Sequence, residues 1–111
     1  MLKELRSLFG SSGRVLSNKE ALILHLLIEA GQRGMYGLEL VETSNGDLKR
    51  GTVYVTLSRM EAKGLVTSAE EQRQIGVNGP PLRKYTPTAL GCREYDAWLV
   101  SRQLVAAARR R

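Results

Sequence analysis

The sequence predicts a mainly α fold with one small β-hairpin, and three observations carry that expectation. Before residue 64, four stretches show apolar residues at helical spacing. Between residues 65 and 86, two short strand-like stretches flank a run rich in Gly, Pro and Asn. From Thr88 onward the helical spacing returns. The 111 residues are expected to form one domain, with an N-terminal helix within 1–10, a central unit over 17–88 and a C-terminal helix over 89–111.

Leu2, Leu5, Leu8 and Phe9 give the first helix a single apolar stripe, and the Gly10–Gly13 segment stops it. A second helix begins at Ser17, where Ser17 and Glu20 have the spacing of a capping box. It continues through ALILHLLIEA to Gly31, apolar around most of its girth, and so should be the central core helix. His25 and Glu29 share its polar edge at i, i+4, a spacing that suits a surface pair. The Gly34–Gly37 segment breaks the chain before a third helix, Leu38 to about Thr43, and the Ser44–Asp47 segment is a turn. A fourth helix starts near Arg50 and closes at Gly64. Val53, Leu57 and Met60 fall on its core side, whereas Thr52, Val55, Ser58, Arg59 and Lys63 point elsewhere.

Residues 65–70 and 82–86 form the expected strands, and residues 72–81 the tip between them. From Gln72 to Lys84 there are three basic residues and no acidic one, so the tip is positive. Thr88 can cap the last helix, which runs to about Ala108. Cys92, Tyr95, Trp98, Leu99 and Ala106 line one side of it, and Leu90, Ala97, Val100, Leu104 and Ala108 much of the other. One small domain cannot cover two apolar faces, so a second copy of the chain is the expected cover. The residues assigned to that homodimer interface are Leu2, Leu5, Leu8, Phe9, Leu90, Ala97, Trp98 and Leu104.

Composition narrows the function classes. Seventeen Lys and Arg against eleven Asp and Glu give a net charge of +6 and suit a polyanionic partner. Three of those charges are Arg109, Arg110 and Arg111, so the body is only mildly basic and the placement of its charges matters most. A single Cys, Cys92, excludes an internal disulfide, fits a reducing cytoplasm and is expected in the core. The N-terminal stretch lacks the hydrophobic run of a secretory signal, and the longest apolar stretch, Ala21–Ile28, is too short to span a bilayer. A soluble cytoplasmic protein is expected, with no membrane partner. One His, one Cys and no ligand spacing leave no catalytic site, cofactor or metal to propose.

The order helix, helix, helix, basic helix, hairpin, long helix is that of a winged helix-turn-helix with added terminal helices. In that arrangement the helix before the hairpin enters the major groove and the wing reaches neighbouring backbone. Lys49 and Arg50 stand at the start of that helix, whose free amides add partial positive charge. Thr52 and Tyr54 supply hydroxyls, and Arg59 has the fork that grips guanine or phosphate. The expected contacts to double-stranded DNA are Tyr36, Lys49, Arg50, Thr52, Tyr54, Val55, Ser58, Arg59, Lys63, Arg73, Arg83 and Lys84.

Three stretches resemble the PadR-like transcriptional regulators. Residues 35–40, Met-Tyr-Gly-Leu-Glu-Leu, look like the family's Tyr-Gly opening of a helix. Residues 51–66 are similar to its recognition segment, with Thr52, Tyr54, Leu57, Glu61, Gly64 and Leu65 in place. Residues 85–91 fit its Tyr-x-x-Thr-x-x-Gly exit from the wing, although Pro87 stands where an aliphatic residue is usual. The resemblance implies repressors that bind inverted repeats as homodimers built from the N- and C-terminal helices. It also implies that small members of the family can hold flat aromatic molecules between subunits.

Tyr95, Trp98 and Leu99 are the residues that could meet such a planar aromatic effector here, with packing as the alternative role for Trp98. The competing functional class is a winged helix that serves as a protein-interaction or assembly module. Such a module would present apolar anchors on the exposed face of the fourth helix, where Val55 is the only clear one.

Overall fold

A computed structural model describes residues 16–71 and 82–109. The predicted N-terminal helix with Leu2, Leu5, Leu8 and Phe9, the wing tip with Arg73, and the last two arginines lie outside the described residues.

Helix α1 spans Asn18–Ala30 and begins with the capping box anticipated from its spacing. The Glu20 amide donates to Ser17 Oγ at 3.1 Å, and the Ser17 amide donates to Glu20 Oε1 at 2.9 Å. Ala21, Ile23, Leu24 and Leu27 are fully buried, which makes α1 the centre of the core. A short 3-10 turn, Gly31–Arg33, leads to a two-residue strand β1, Met35–Tyr36. That strand corrects the expectation of a plain chain break at Gly34–Gly37. Two residues carry no periodic signal, and only pairing with a distant strand defines them.

Helix α2, Gly37–Thr43, and helix α3, Arg50–Ala62, are joined by a tight turn. Ser44 Oγ donates to the Val41 carbonyl at 2.8 Å and accepts from the Leu48 amide at 3.0 Å. Asn45 and Gly46 adopt positive φ there, and the side chain of Leu48 is buried. Val53, Leu57 and Met60 bury the inner side of α3, as their spacing implied.

Strands β2, Val66–Glu71, and β3, Leu82–Pro87, form the wing. The sheet has three antiparallel strands in the order β1-β3-β2, rather than the expected pair. Tyr36 pairs with Lys84, and Lys84 pairs with Ala69. Side chains alternate between faces along a strand, so Tyr36, Lys84 and Glu71 share the outer face. Ser68, Arg83 and Tyr85 share the inner one, where Tyr85 is buried with Met35.

Helix α4, Ala89–Arg109, is roughly 30 Å long and starts from a tight junction. Thr88 Oγ1 accepts from the Gly91 amide at 3.0 Å and donates to the Gly64 carbonyl at 2.5 Å. A Cβ on Gly91 would fall 2.1 Å from the Leu65 carbonyl oxygen, so only glycine lets the helix approach this closely. Cys92 is half-buried, less enclosed than the core position expected for it.

Tyr95 ties α4 to α1. His25 Nδ1 lies 2.7 Å from its hydroxyl, and His25 Nε2 lies 3.2 Å from Glu29. The Glu29 pair was expected from its spacing, whereas the Tyr95 contact was not. Leu90 near the start of α4 and Val100, Leu104 and Val105 farther along it are exposed.

Candidate nucleic-acid interface

Helix α3 presents the face that its sequence pattern implied. At about 100° per residue, Val55, Ser58 and Arg59 fall opposite the buried Val53–Leu57–Met60 side, with Thr52 and Tyr54 on the flanks. All five are exposed, as are Lys49 and Arg50 at the helix start. Among the described residues no side chain caps this N-terminus, and no acid sits in its first turn, so its amides keep their partial positive charge. Among the described residues, Lys49, Arg50 and Arg59 enter no ion pair. Lys49 and Arg50 at the helix start and Arg59 in its last turn are thus exposed cations with no carboxylate partner among the described residues.

Tyr54 sets how α3 sits against α2. Its ring lies over Gly37, where an added Cβ would meet Tyr54 Cε1 at 2.5 Å. Gly37 of the Tyr-Gly pair and the tyrosine of the segment 51–66 thus form one contact. Their presence in the sequence has a packing cause as well as a surface one.

In the free chain Lys63 is engaged toward α1. Its ammonium lies 2.8 Å from Glu20 Oε2, and the Glu20 side chain is only 10% exposed. Burial alone would raise the Glu20 pKa. Hydrogen bonds from Lys63 and the Ser17 amide, with the Lys63 charge, outweigh burial and hold it below the ordinary carboxylate value. A nearly enclosed carboxylate has drawn the lysine inward.

The two described basic residues of the wing are also engaged, on opposite faces. Arg83 Nη1 donates to Ser68 Oγ at 3.0 Å, and Ser68 donates onward to Glu61 Oε2 from its hydroxyl at 2.8 Å and its amide at 3.1 Å. Lys84 lies over the Tyr36 ring, 5.2 Å from its centroid, with its ammonium 3.7 Å from Glu71 Oε1. The Tyr36 hydroxyl donates to Glu71 Oε2. That hydrogen bond, aided by burial and by the charges of Glu71 and Glu39, holds the phenol above its ordinary pKa. The Tyr36 amide donates to Glu39 at 2.9 Å and, with Arg33, holds that carboxyl low despite partial burial. Sequence spacing gave no sign of Glu61 or Glu71 as partners, because each contact joins separate elements.

On α4, the Tyr95 and Trp98 rings stack with centroids 6.1 Å apart and planes 18° apart. The Arg102 guanidinium lies 4.9 Å from the Trp98 ring centroid. Leu99 is half-buried beside them. Among the described residues, no cluster of His, Cys, Asp and Glu could hold a metal ion, and no helix is long and apolar enough to cross a membrane.

Residues 23–97 match the model of the transcriptional regulator PadR-like family. A PadR family transcription regulator from Clostridium difficile is 26% identical, with a TM-score of 0.60 over 85% of this chain and 93% of that one. A PadR-like transcription factor from Bacteroides fragilis, 19% identical, gives a TM-score of 0.67 over 81% of this chain and 84% of that one. The PcaV transcriptional regulator from Streptomyces coelicolor, solved with its natural ligand, is 16% identical. Its TM-score is 0.63, over 96% of this chain and 73% of that one. Among curated proteins, none matches the chain.

Proposed function

Since the chain belongs to the transcriptional regulator PadR-like family, we propose that it is a repressor that binds an inverted-repeat DNA operator as a homodimer and catalyses no reaction. The observation that carries this reading is the exposed surface of α3, where Lys49 and Arg50 stand at the helix start and Arg59 in the last turn, all three unpaired among the described residues. Such a surface suits phosphates at its N-terminal end and base edges along its length. Thr52, Tyr54, Val55, Ser58 and Arg59 are the proposed groove contacts. Arg73, Arg83 and Lys84 are the proposed phosphate contacts of the wing.

A homodimer is favoured by the exposed Leu90, Val100, Leu104 and Val105 of α4. Burying each large aliphatic side chain is worth about 1.5–3 kcal/mol, so a second copy is a strong competitor to water for this face. Two recognition helices related by a two-fold axis suit half-sites about one helical turn apart.

The test is selection of bound duplexes from a random-sequence pool, followed by sequencing. Recovery of a near-palindrome supports the reading. If no sequence is enriched while the chain captures a protein partner through α3, the interaction-module alternative replaces it.

A planar aromatic effector has narrower support, in the stacked Tyr95 and Trp98 beside Leu99 on α4. Arg102 over the same indole would favour an anionic compound. Titration of Trp98 fluorescence tests it, since Trp98 is the only tryptophan. Saturable quenching coupled to operator release supports an effector, and an insensitive emission spectrum across a broad panel removes it.

A further inference from the structure

Only two acidic residues lie between Val66 and Pro87, Glu70 and Glu71. Strand alternation puts them on opposite faces of the sheet. On the outer face, one carboxylate serves two groups assigned to DNA, since Glu71 accepts from the Tyr36 hydroxyl and faces the Lys84 ammonium. Register explains the grouping. Tyr36 pairs with Lys84 across β1 and β3, Ala69 stands opposite Lys84 with only a methyl group, and Glu71 lies two residues further along β2.

We propose that Glu71 sets the affinity of the wing for DNA, by holding Lys84 and Tyr36 in the free protein until a backbone phosphate displaces its carboxylate from them. This role rests on the DNA-binding reading given above.

The geometry suits exchange. Lys84 stands 3.7 Å from the carboxylate, beyond hydrogen-bond range, and Glu71 is 42% exposed. An ion pair of this kind contributes little and is easily screened. The contrast is Lys63, hydrogen-bonded at 2.8 Å to a carboxylate that is almost enclosed. A phosphate offers Lys84 and the phenol the same acceptor chemistry as Glu71. A phenol titrates at about pH 10, so Tyr36 is a donor at neutral pH whether or not Glu71 holds it. Glu71 also repels DNA directly, and Glu70, the next residue on the same strand, carries the same charge. The added effect of Glu71 comes from the groups it holds.

The experiment measures binding of the full chain to a random-sequence duplex by fluorescence anisotropy over a series of salt concentrations. Glu71→Gln should tighten binding roughly two- to five-fold and steepen the salt dependence by up to about one unit of log–log slope. Glu70→Gln removes the same charge and should give the smaller gain. In a Lys84→Met background, most of the gain from Glu71→Gln should vanish. Equal gains from Glu70→Gln and Glu71→Gln would overturn the role of Glu71 and leave plain repulsion. A gain that survives Lys84→Met, or weaker binding by a Glu71→Gln protein of unchanged thermal midpoint, would overturn it too. If the wild-type chain binds no duplex at all, the DNA-binding reading itself fails. Wild-type binding that Glu71→Gln leaves unchanged sinks the role of Glu71 alone.

Discussion

Tyr54, on the proposed recognition helix, rests its ring on Gly37 at the start of the preceding helix, and a methyl group at position 37 would sit 2.5 Å from Tyr54 Cε1. The glycine φ is not positive, so the requirement is for space and not for an unusual backbone. Gly37→Ala should therefore push the ring aside or part the two helices, at a cost of about 1–3 kcal/mol in stability. Combining it with Tyr54→Ala removes the clash, and the double variant should be less destabilised than the sum of the single ones. Chemical denaturation of the four proteins measures this. Additive losses would mean that the contact does not set the helix pair.

Lys63 and Glu20 give a prediction that separates core from interface. Folding lowers the Glu20 pKa. The pair therefore adds stability that is fully present above the ordinary carboxylate pKa and is lost as pH falls through the lowered value. Lys63→Met should cost on the order of 1–3 kcal/mol at neutral pH and make the acid limb of the stability curve shallower. The salt dependence of DNA binding should not change. A loss of nearly one unit of slope would show that Lys63 leaves Glu20 to contact phosphate.

The junction before α4 is a backbone contact, where little can give way. A Cβ at position 91 would meet the Leu65 carbonyl at 2.1 Å, too close for any side-chain adjustment to relieve. Gly91→Ala should destabilise the domain by about 3 kcal/mol, read as a lowered denaturation midpoint with an unchanged slope. A variant as stable as wild type would show that α4 can move away from Leu65 freely.

Much of this architecture was legible because its signals are local. Ser17 and Glu20 are three residues apart, Val53, Leu57 and Met60 repeat at helical spacing, and Gly64 and Thr88 punctuate the chain at element ends. What stayed hidden joins distant positions. The His25–Tyr95 contact spans 70 residues, Lys63–Glu20 spans 43, and Tyr36–Glu71 spans 35. Strand β1 has no pattern of its own and exists through its pairing with Lys84 and Tyr85. The candidate site divides the same way. The outward face of α3 follows from periodicity, but the carboxylates that engage Lys63 and Lys84, and the Ser68 hydroxyl that engages Arg83, are set by how the elements pack.

The exposed apolar side of α4 makes assembly testable. Leu104 is 66% exposed in the single chain, so Leu104→Glu should leave the fold of one subunit intact. In a dimer joined there, the change alters both copies and should weaken association by at least about 100-fold, in line with about 1.5–3 kcal/mol per buried leucine. Light scattering across a dilution series gives the answer. Wild-type protein that stays monomeric at high micromolar concentration would refute the homodimer.

If the outward face of α3 reads DNA sequence, Arg59 is the side chain whose loss should show it. Its side chain is exposed and enters no ion pair among the described residues, so Arg59→Ala should not disturb the fold. The decisive measurement compares the sequence profiles selected from a random duplex pool by wild type and Arg59→Ala. Wild type should enrich a near-palindrome. The variant should lose on the order of 1–3 kcal/mol on that site and its preference at one position in each half. Identical profiles, or no enrichment by the wild type, would contradict the account.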